Sequence, residues 1–410
     1  MDAPLHRWTA TLAQTGLSRF LNHFAELFPD DHLKDLDFDS VGPGREAVIR
    51  GQRIVNFGSD SFLGLDQDSR VKDALRRGIA TWGSHSGASR AFAGVRSHTV
   101  AEEKIAAWLG TESAIIYPSV TLVNLGVIPG IVGKHDFVAA DEFAHNSIHD
   151  GVRMARGSGV ATATFKHDDP DDLDRVFREA RPFRFGLVCV DGVYSMSGTL
   201  PPLKELAGVC RKHNAVLYVD DAHGTGVLGR HGVGTVEEAL GCYDNVLVVG
   251  SLSKAFSCMG GFIGCPTSLK NLLKMRSNTY IFGGPVAPCY LDAICTVLEI
   301  LQSGEYPALI GRLRANLRRF TTLARELGYD VVGGLTPIVA LLIGDEALTL
   351  KAGRFLFDRG YYVQSVLFPA VPYHAGVLRV QVNSNHTTEQ IDGLILALKA
   401  LRAYAGTIAA

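Results

Sequence analysis

Five short runs in this chain, SAIIYP, DFVAAD, FGLVCVD, AVLYVD and NVLVVGS, carry apolar residues at both alternating positions and are separated by helix-length segments. A strand with one wet face alternates apolar and polar side chains, so a strand that is apolar throughout has to be covered on both faces. From about residue 51 onward the pattern therefore commits the chain to an α/β fold, a sheet sandwiched between helices. In such folds the loops at the carboxyl ends of the strands carry function, which makes the residues closing these runs the first candidates for chemistry.

A chain of 410 residues exceeds one small core, and two packed domains around a shared cleft are expected. Residues 1–50 read as an N-terminal arm, with a helical pattern (Leu17, Phe20, Leu21, Phe24, Leu27) and an acidic turn, packing on a partner or on its own body. Residues 51–288 form the large domain. After GGPVAP, the helical run LDAICTVLEILQSG opens a smaller C-terminal α+β domain, residues 289–410. Forty basic against forty-two acidic side chains leave no electrostatic footprint for nucleic acid or an anionic membrane, so the expected partners are small molecules. Seven scattered cysteines without C-x-x-C suggest neither a disulfide framework nor a zinc ribbon. Without a signal pattern or a stretch of spanning length, the expected location is cytoplasmic, with no membrane span.

The segment VLYVDDAHGTG puts Asp220 at the end of one buried run and His223 three residues later, and NVLVVGSLSKAFSCMGG ends the next run with Ser251 and Lys254. A lysine and an aspartate at neighbouring strand ends suit Schiff-base chemistry: the amine captures a cofactor aldehyde, and the carboxylate keeps a pyridine nitrogen protonated. Singly these signals are poor, since a lone lysine is usually a solvated surface residue and a strand-end aspartate often only caps a turn.

Together with VDGVYSMSG and LRVQVNSNHT, these segments resemble, in order and spacing, the α-oxoamine synthase family of pyridoxal-phosphate enzymes over about residues 50–402. The family includes aminooxononanoate synthase, aminoketobutyrate ligase, aminolevulinate synthase, serine palmitoyltransferase and the autoinducer aminoketone synthases. The resemblance implies the aspartate-aminotransferase fold (fold type I) with a mostly parallel sheet, and pyridoxal 5'-phosphate as cofactor. It implies decarboxylative condensation of an amino acid with an acyl thioester, carried by coenzyme A or an acyl carrier protein, to an α-amino ketone. It also implies a homodimer with the active site at the subunit interface.

Carried over by residue, Lys254 would hold the cofactor aldehyde and remove the α-proton, Asp220 would pair with the ring nitrogen, and His223 would contact the phenolic oxygen. His145 in DEFAHNS would stack on the ring, with Asp191 and Ser195 completing the pocket. Arg379 in GVLRVQV would anchor the substrate carboxylate, and Ser251 with Ser119, Val120 and Thr121 would hold the phosphate at a helix N-terminus.

Three departures stand out. The family's N-D-Y-L-G-L reads Asp60-Ser61-Phe62-Leu63-Gly64-Leu65, placing a carboxylate beside the substrate carboxylate. Asp60 is then expected to be turned away or protonated, or to bind a polar or cationic group of the amino substrate. S-G-F reads Ser119-Val120-Thr121, losing an aromatic and gaining a hydroxyl. The S-T pair that reaches the phosphate from the other subunit reads Gly283-Gly284, so that contact is lost or made by backbone N–H.

Rival readings are weaker. Gly224-x-Gly226-x-x-Gly229 matches a dinucleotide fingerprint but follows D-D-A-H instead of joining a strand directly to a helix. Ser251-x-x-Lys254 lacks the other elements of the serine–lysine hydrolases. His145 and His149 have the spacing of a helical metal pair, with Asp141 and Asp150 nearby, but no separate third ligand cluster, so no metal is expected. Two alternatives keep the fold and change the function: another fold-type-I enzyme (aminotransferase, lyase or racemase), or a non-catalytic partner subunit of a synthase.

Overall fold

The computed structural model describes residues 3–27 and 36–408; the acidic turn expected near residues 30 and 31 lies outside them. At the N-terminus, strands β1 (Phe38–Val41), β2 (Glu46–Ile49) and β3 (Gln52–Asn56) form an antiparallel ribbon. The central sheet takes β4 (Ser113–Tyr117), β5 (Phe137–Asp141), β6 (Ala161–Phe165), β7 (Gly186–Asp191), β8 (Ala215–Asp220), β9 (Val246–Ser251) and β10 (Gly261–Cys265). These seven strands lie in the order β4-β10-β9-β8-β7-β5-β6, with only β10 antiparallel to its neighbours.

All five apolar runs are strands of this sheet, and their alternation divides them between two cores. Val188, Val190, Leu217, Val219 and Val248 enter one core, while Leu187, Cys189, Tyr218, Leu247 and Val249 enter the other. Burial on both faces is what the unbroken apolar runs require. Two strands lie outside those runs. Edge strand β6 (ATATF) is only partly buried, and β10 (GFIGC) is bracketed by glycine and cysteine. The Cβ that any residue but glycine would place at position 261 would lie 2.6 Å from the Val120 nitrogen, so β10 starts with the one side chain that lets the 119–120 loop close over it.

A second sheet near the C-terminus contains β11 (Val331–Gly333), β12 (Ile338–Gly344), β14 (Gln364–Val366) and β15 (Gly376–Gln381), in the order β11-β12-β15-β14. Between β12 and β14, the two-residue β13 (Tyr361–Tyr362) leaves this sheet and pairs in parallel with β3. That pairing lays the segment after β3 along the end of β15. The Gln381 N–H donates to the Phe57 carbonyl at 2.8 Å, the Ser384 N–H to Phe62 at 2.9 Å, and the Ser384 hydroxyl to Leu63 at 2.8 Å.

The N-terminal helices Pro4–Ala13 and Gly16–Leu27 pack on the chain's own body where Phe20 meets Phe368 and Tyr373 edge-on, at ring distances of 5.6 and 5.4 Å. Among the described residues no helix is long and apolar enough to cross a membrane.

Candidate functional site

Parallel strands end together, so the carboxyl edge of the sheet collects Asp141, Asp191, Asp220 and Ser251 from four of them. Asp191 and Asp220 are register partners, both at least nine-tenths buried. Burial, and then the neighbouring Asp220, push the Asp191 carboxyl well above the ordinary carboxylate range. Asp220 is also raised by burial, although Asn124, His145, the Ala222 N–H and Lys254 each favour its charged form. A pair of buried carboxylates without an ion-pair partner among the described residues is an electrostatic vacancy for a cation. A protonated ring nitrogen fits it.

Asp220 is held rigidly. Its Oδ2 accepts from Asn124 Nδ2 at 2.7 Å and its Oδ1 from the Ala222 N–H at 3.2 Å. Asn124 in turn accepts from the Tyr218 hydroxyl at 2.7 Å and donates to Ser147 Oγ at 2.8 Å. Ser147 lies 2.7 Å from His145 Nδ1, and the His145 N–H donates to Asp191 at 3.0 Å, which closes the network. His145 caps the helix Asn146–Gly157 and does not lie within it. The Ser147 N–H donates to its Nδ1, which leaves the ring proton on Nε2. Sequence reasoning missed Asn124, Ser147 and Tyr218. An asparagine inside the apolar helix VTLVNLGVIPGI was the available signal, because a buried amide needs partners.

In the cofactor-free protein, Asp191→Asn should remove the repulsion while its amide oxygen keeps the His145 N–H. An acid whose folded pKa exceeds its unfolded value costs stability above the unfolded value, and fully so above the folded one. Thermal melts should therefore show no gain near pH 4, the ordinary aspartate range, and a gain on the order of 1 kcal/mol by pH 8.

Lys254 sits in the turn between β9 and β10, shaped by backbone bonds from Leu252 N–H to Gly260 O (2.9 Å) and from Ser257 N–H to Lys254 O (2.8 Å). Ser251 is buried with its Oγ 2.9 Å from Ser253 Oγ. Burial, then Lys254, hold the His223 imidazole well below its ordinary pKa, so it is neutral at physiological pH. Ser119 caps the helix Val120–Ile131 by accepting from the Leu122 N–H at 3.2 Å, and Thr121 is exposed in its first turn. Free N–H groups and the helix dipole make that end a place for phosphate. The vacancy at Asp220, the lysine and the helix end together fit pyridoxal phosphate.

The glycines of the fingerprint-like loop enclose a side chain of the chain itself. A Cβ at Gly224 or Gly234 would strike Asp221, at 2.1 and 1.9 Å. Asp221 is wholly buried, which pushes its pKa up to about 7, and accepts from the Thr235 N–H at 2.6 Å. At the Gly283-Gly284 pair, the Gly283 N–H is already committed to the Thr279 carbonyl at 3.0 Å, which corrects the expectation that it faces a phosphate; only the Gly284 N–H is left for that.

Arg379, 4 % exposed, donates from Nε to the Ser195 carbonyl (2.6 Å), from Nη1 to Gln364 Oε1 (2.8 Å) and from Nη2 to Asp60 Oδ1 (3.2 Å). Ser195 thus meets the arginine through its backbone. Asp60 Oδ1 also accepts from Gln381, and Oδ2 lies 3.8 Å from Lys254 Nζ. Burial opposes its charge, but Arg379, His223 and Lys254 outweigh burial and hold the carboxyl below its ordinary pKa. Asp60 is therefore neither turned away nor protonated: two of the three expectations for it fail because the stitched 57–64 segment drives it between two cations.

Residues 52–398 match the family Aminotransferase class I and II. The 8-amino-7-oxononanoate synthase of Methylococcus capsulatus is 38% identical over 353 residues, covering 86% of this chain and 90% of that protein. That of Thermosipho melanesiensis is 35% identical over 351 residues, covering 85% and 88%. Among solved structures, the Sphingomonas wittichii serine palmitoyltransferase aligns with a TM-score of 0.88 at 29% identity, covering 96% of this chain and 99% of that one. A serine palmitoyltransferase with pyridoxal phosphate as its internal aldimine aligns with a TM-score of 0.88 at 28% identity, covering 96% and 100%.

Proposed function

The chain belongs to the aminotransferase class I and II family and, within it, to the α-oxoamine synthases, and on that premise we propose how its residues divide the work of a pyridoxal-phosphate acyltransferase. The reaction is the decarboxylative condensation of an α-amino acid with an acyl thioester, giving an α-amino ketone, carbon dioxide and free thiol. An 8-amino-7-oxo acid is by its name a vicinal amino ketone, and a palmitoyltransferase by its name moves an acyl group. One reaction type accounts for both.

The observation carrying the assignment of roles is the pair of buried carboxylates next to Lys254, which favours one cation at one position. Bound pyridoxal phosphate supplies a ring that accepts the electron pair left on Cα when a proton or carbon dioxide departs. Lys254 holds the aldehyde and, once released by the amino acid, takes the α-proton at Nζ. Asp220 keeps the ring nitrogen charged, and Asn124 fixes the carboxylate that does so. His145 covers the ring face with its Nδ1 tied to Ser147. Neutral His223 lies where it can share a proton with the phenolic oxygen. Arg379 receives the amino acid's carboxylate.

The site lies at the boundary of a cytoplasmic homodimer. Phe92 and Phe282, 90% and 81% exposed, supply apolar surface for the partner on two segments joined by the Ser89 hydroxyl and the Ile281 carbonyl at 2.5 Å. The acyl carrier is coenzyme A or an acyl carrier protein. The test is to incubate holoenzyme with panels of amino acids and acyl thioesters and to measure free thiol and carbon dioxide. Equal amounts of both, appearing only when both substrates are present, are expected. Transamination without thiol release would sink the reading.

A further inference from the structure

We infer that Asp60 is the residue that selects the amino acid, admitting substrates whose β-carbon bears a hydrogen-bond donor, a hydroxyl or an ammonium, over those with a plain methyl or hydrogen there. The inference deepens the function proposed above and rests on it. Position 60 faces the reaction centre because the β3–β13 pairing stitches residues 57–64 onto the end of β15. Ser61 Oγ, 2.6 Å from Ser257 Oγ, also ties it to the Lys254 turn.

One carboxylate oxygen is fully engaged, since Oδ1 accepts from both Arg379 and Gln381. The other, Oδ2, is aimed at Lys254 Nζ, 3.8 Å away. An asparagine in this pose would keep its oxygen on Gln381 and Arg379 and present N–H donors to the centre. Aspartate presents an acceptor only, which inverts the hydrogen-bond polarity at that point.

The amino nitrogen of the substrate takes the place of Nζ on the aldehyde, so Oδ2 stays close to it. The substrate carboxylate is repelled from Oδ2 and goes to the Arg379 N–H groups that Ser195, Gln364 and Asp60 leave free. A donor on the β-carbon, three bonds from the amino nitrogen, reaches Oδ2 at the usual hydrogen-bond length of about 2.8 Å. Alanine would bury that charged oxygen against a methyl group, with no donor in place of the displaced water.

Spectral titration of the holoenzyme with amino acids, without any thioester, reads this directly as Kd. Serine and 2,3-diaminopropionate are expected to bind at least about tenfold more tightly than alanine. Asp60→Asn should bring that ratio to within about threefold of one, weakening the donor-bearing amino acids and strengthening alanine. A wild-type ratio near one, or a ratio that the substitution leaves unchanged, overturns the assignment. If Asp60→Asn fails to take up cofactor, Asp60→Ala carries the same comparison with the same two outcomes. Thiol release is scored separately: its absence with every thioester removes the condensation reading and leaves the affinity ratio standing, whereas failure to bind any of the three amino acids overturns both.

Discussion

Lys254→Ala is expected to lower product formation by roughly 10⁴-fold and to leave the protein without covalently attached cofactor. The loss combines two roles on one atom, since Nζ both holds the aldehyde and is the base nearest Cα. Folding should survive. The Lys254 turn is shaped by backbone bonds among Leu252, Lys254, Ser257 and Gly260, and the side chain's only ion pair is with Asp60 at 3.8 Å. Borohydride reduction followed by mass spectrometry should show the cofactor mass on the native protein and none on the variant. A variant that keeps the added mass would assign the attachment to another amine.

Asp220→Asn should reduce kcat by about 10³-fold, because removing one partner of a buried charge pair leaves the other uncompensated, at a cost of roughly 3–5 kcal/mol. The shape of the site changes little: an asparagine still offers Asn124 an oxygen, while Arg379 and Lys254 are untouched. KM for the amino acid should therefore move far less than kcat, the signature of an interaction that matters to the transition state and not to docking. Equal changes in both would mean that Asp220 acts by holding the pocket's shape. Asp191→Asn is the contrasting case, since it removes a negative neighbour without touching the pair itself.

The local pattern made most of the central sheet legible. Runs apolar on both faces can be satisfied only between two helical layers, and a parallel sheet has its loops for chemistry at one edge. Asp220 and Lys254 could be singled out because each directly follows such a run. Strand β10 was not legible, since GFIGC has glycine where a strand usually packs a side chain, and its reversed direction depends on the neighbours β4 and β9. Asn124 reads locally as a misfit in an apolar helix, and only the fold brings it to Asp220. Gln381 lies two residues after Arg379 and so on the same strand face, a signal that the sequence did carry.

Asp60 marks the boundary between the two kinds of knowledge. Its identity and its closeness to a substrate carboxylate followed from motif order, but its orientation and charge did not. They depend on a carboxylate, a guanidinium and an amine drawn from residues 60, 379 and 254, whose distances are fixed by a two-residue strand pairing and a handful of backbone bonds. By itself, then, the sequence determined which elements form and which side chains end them, because burial and alternation act over a few residues. The tertiary structure alone decided which charges meet, because Coulomb and hydrogen-bond energies depend on ångström separations that no local pattern encodes.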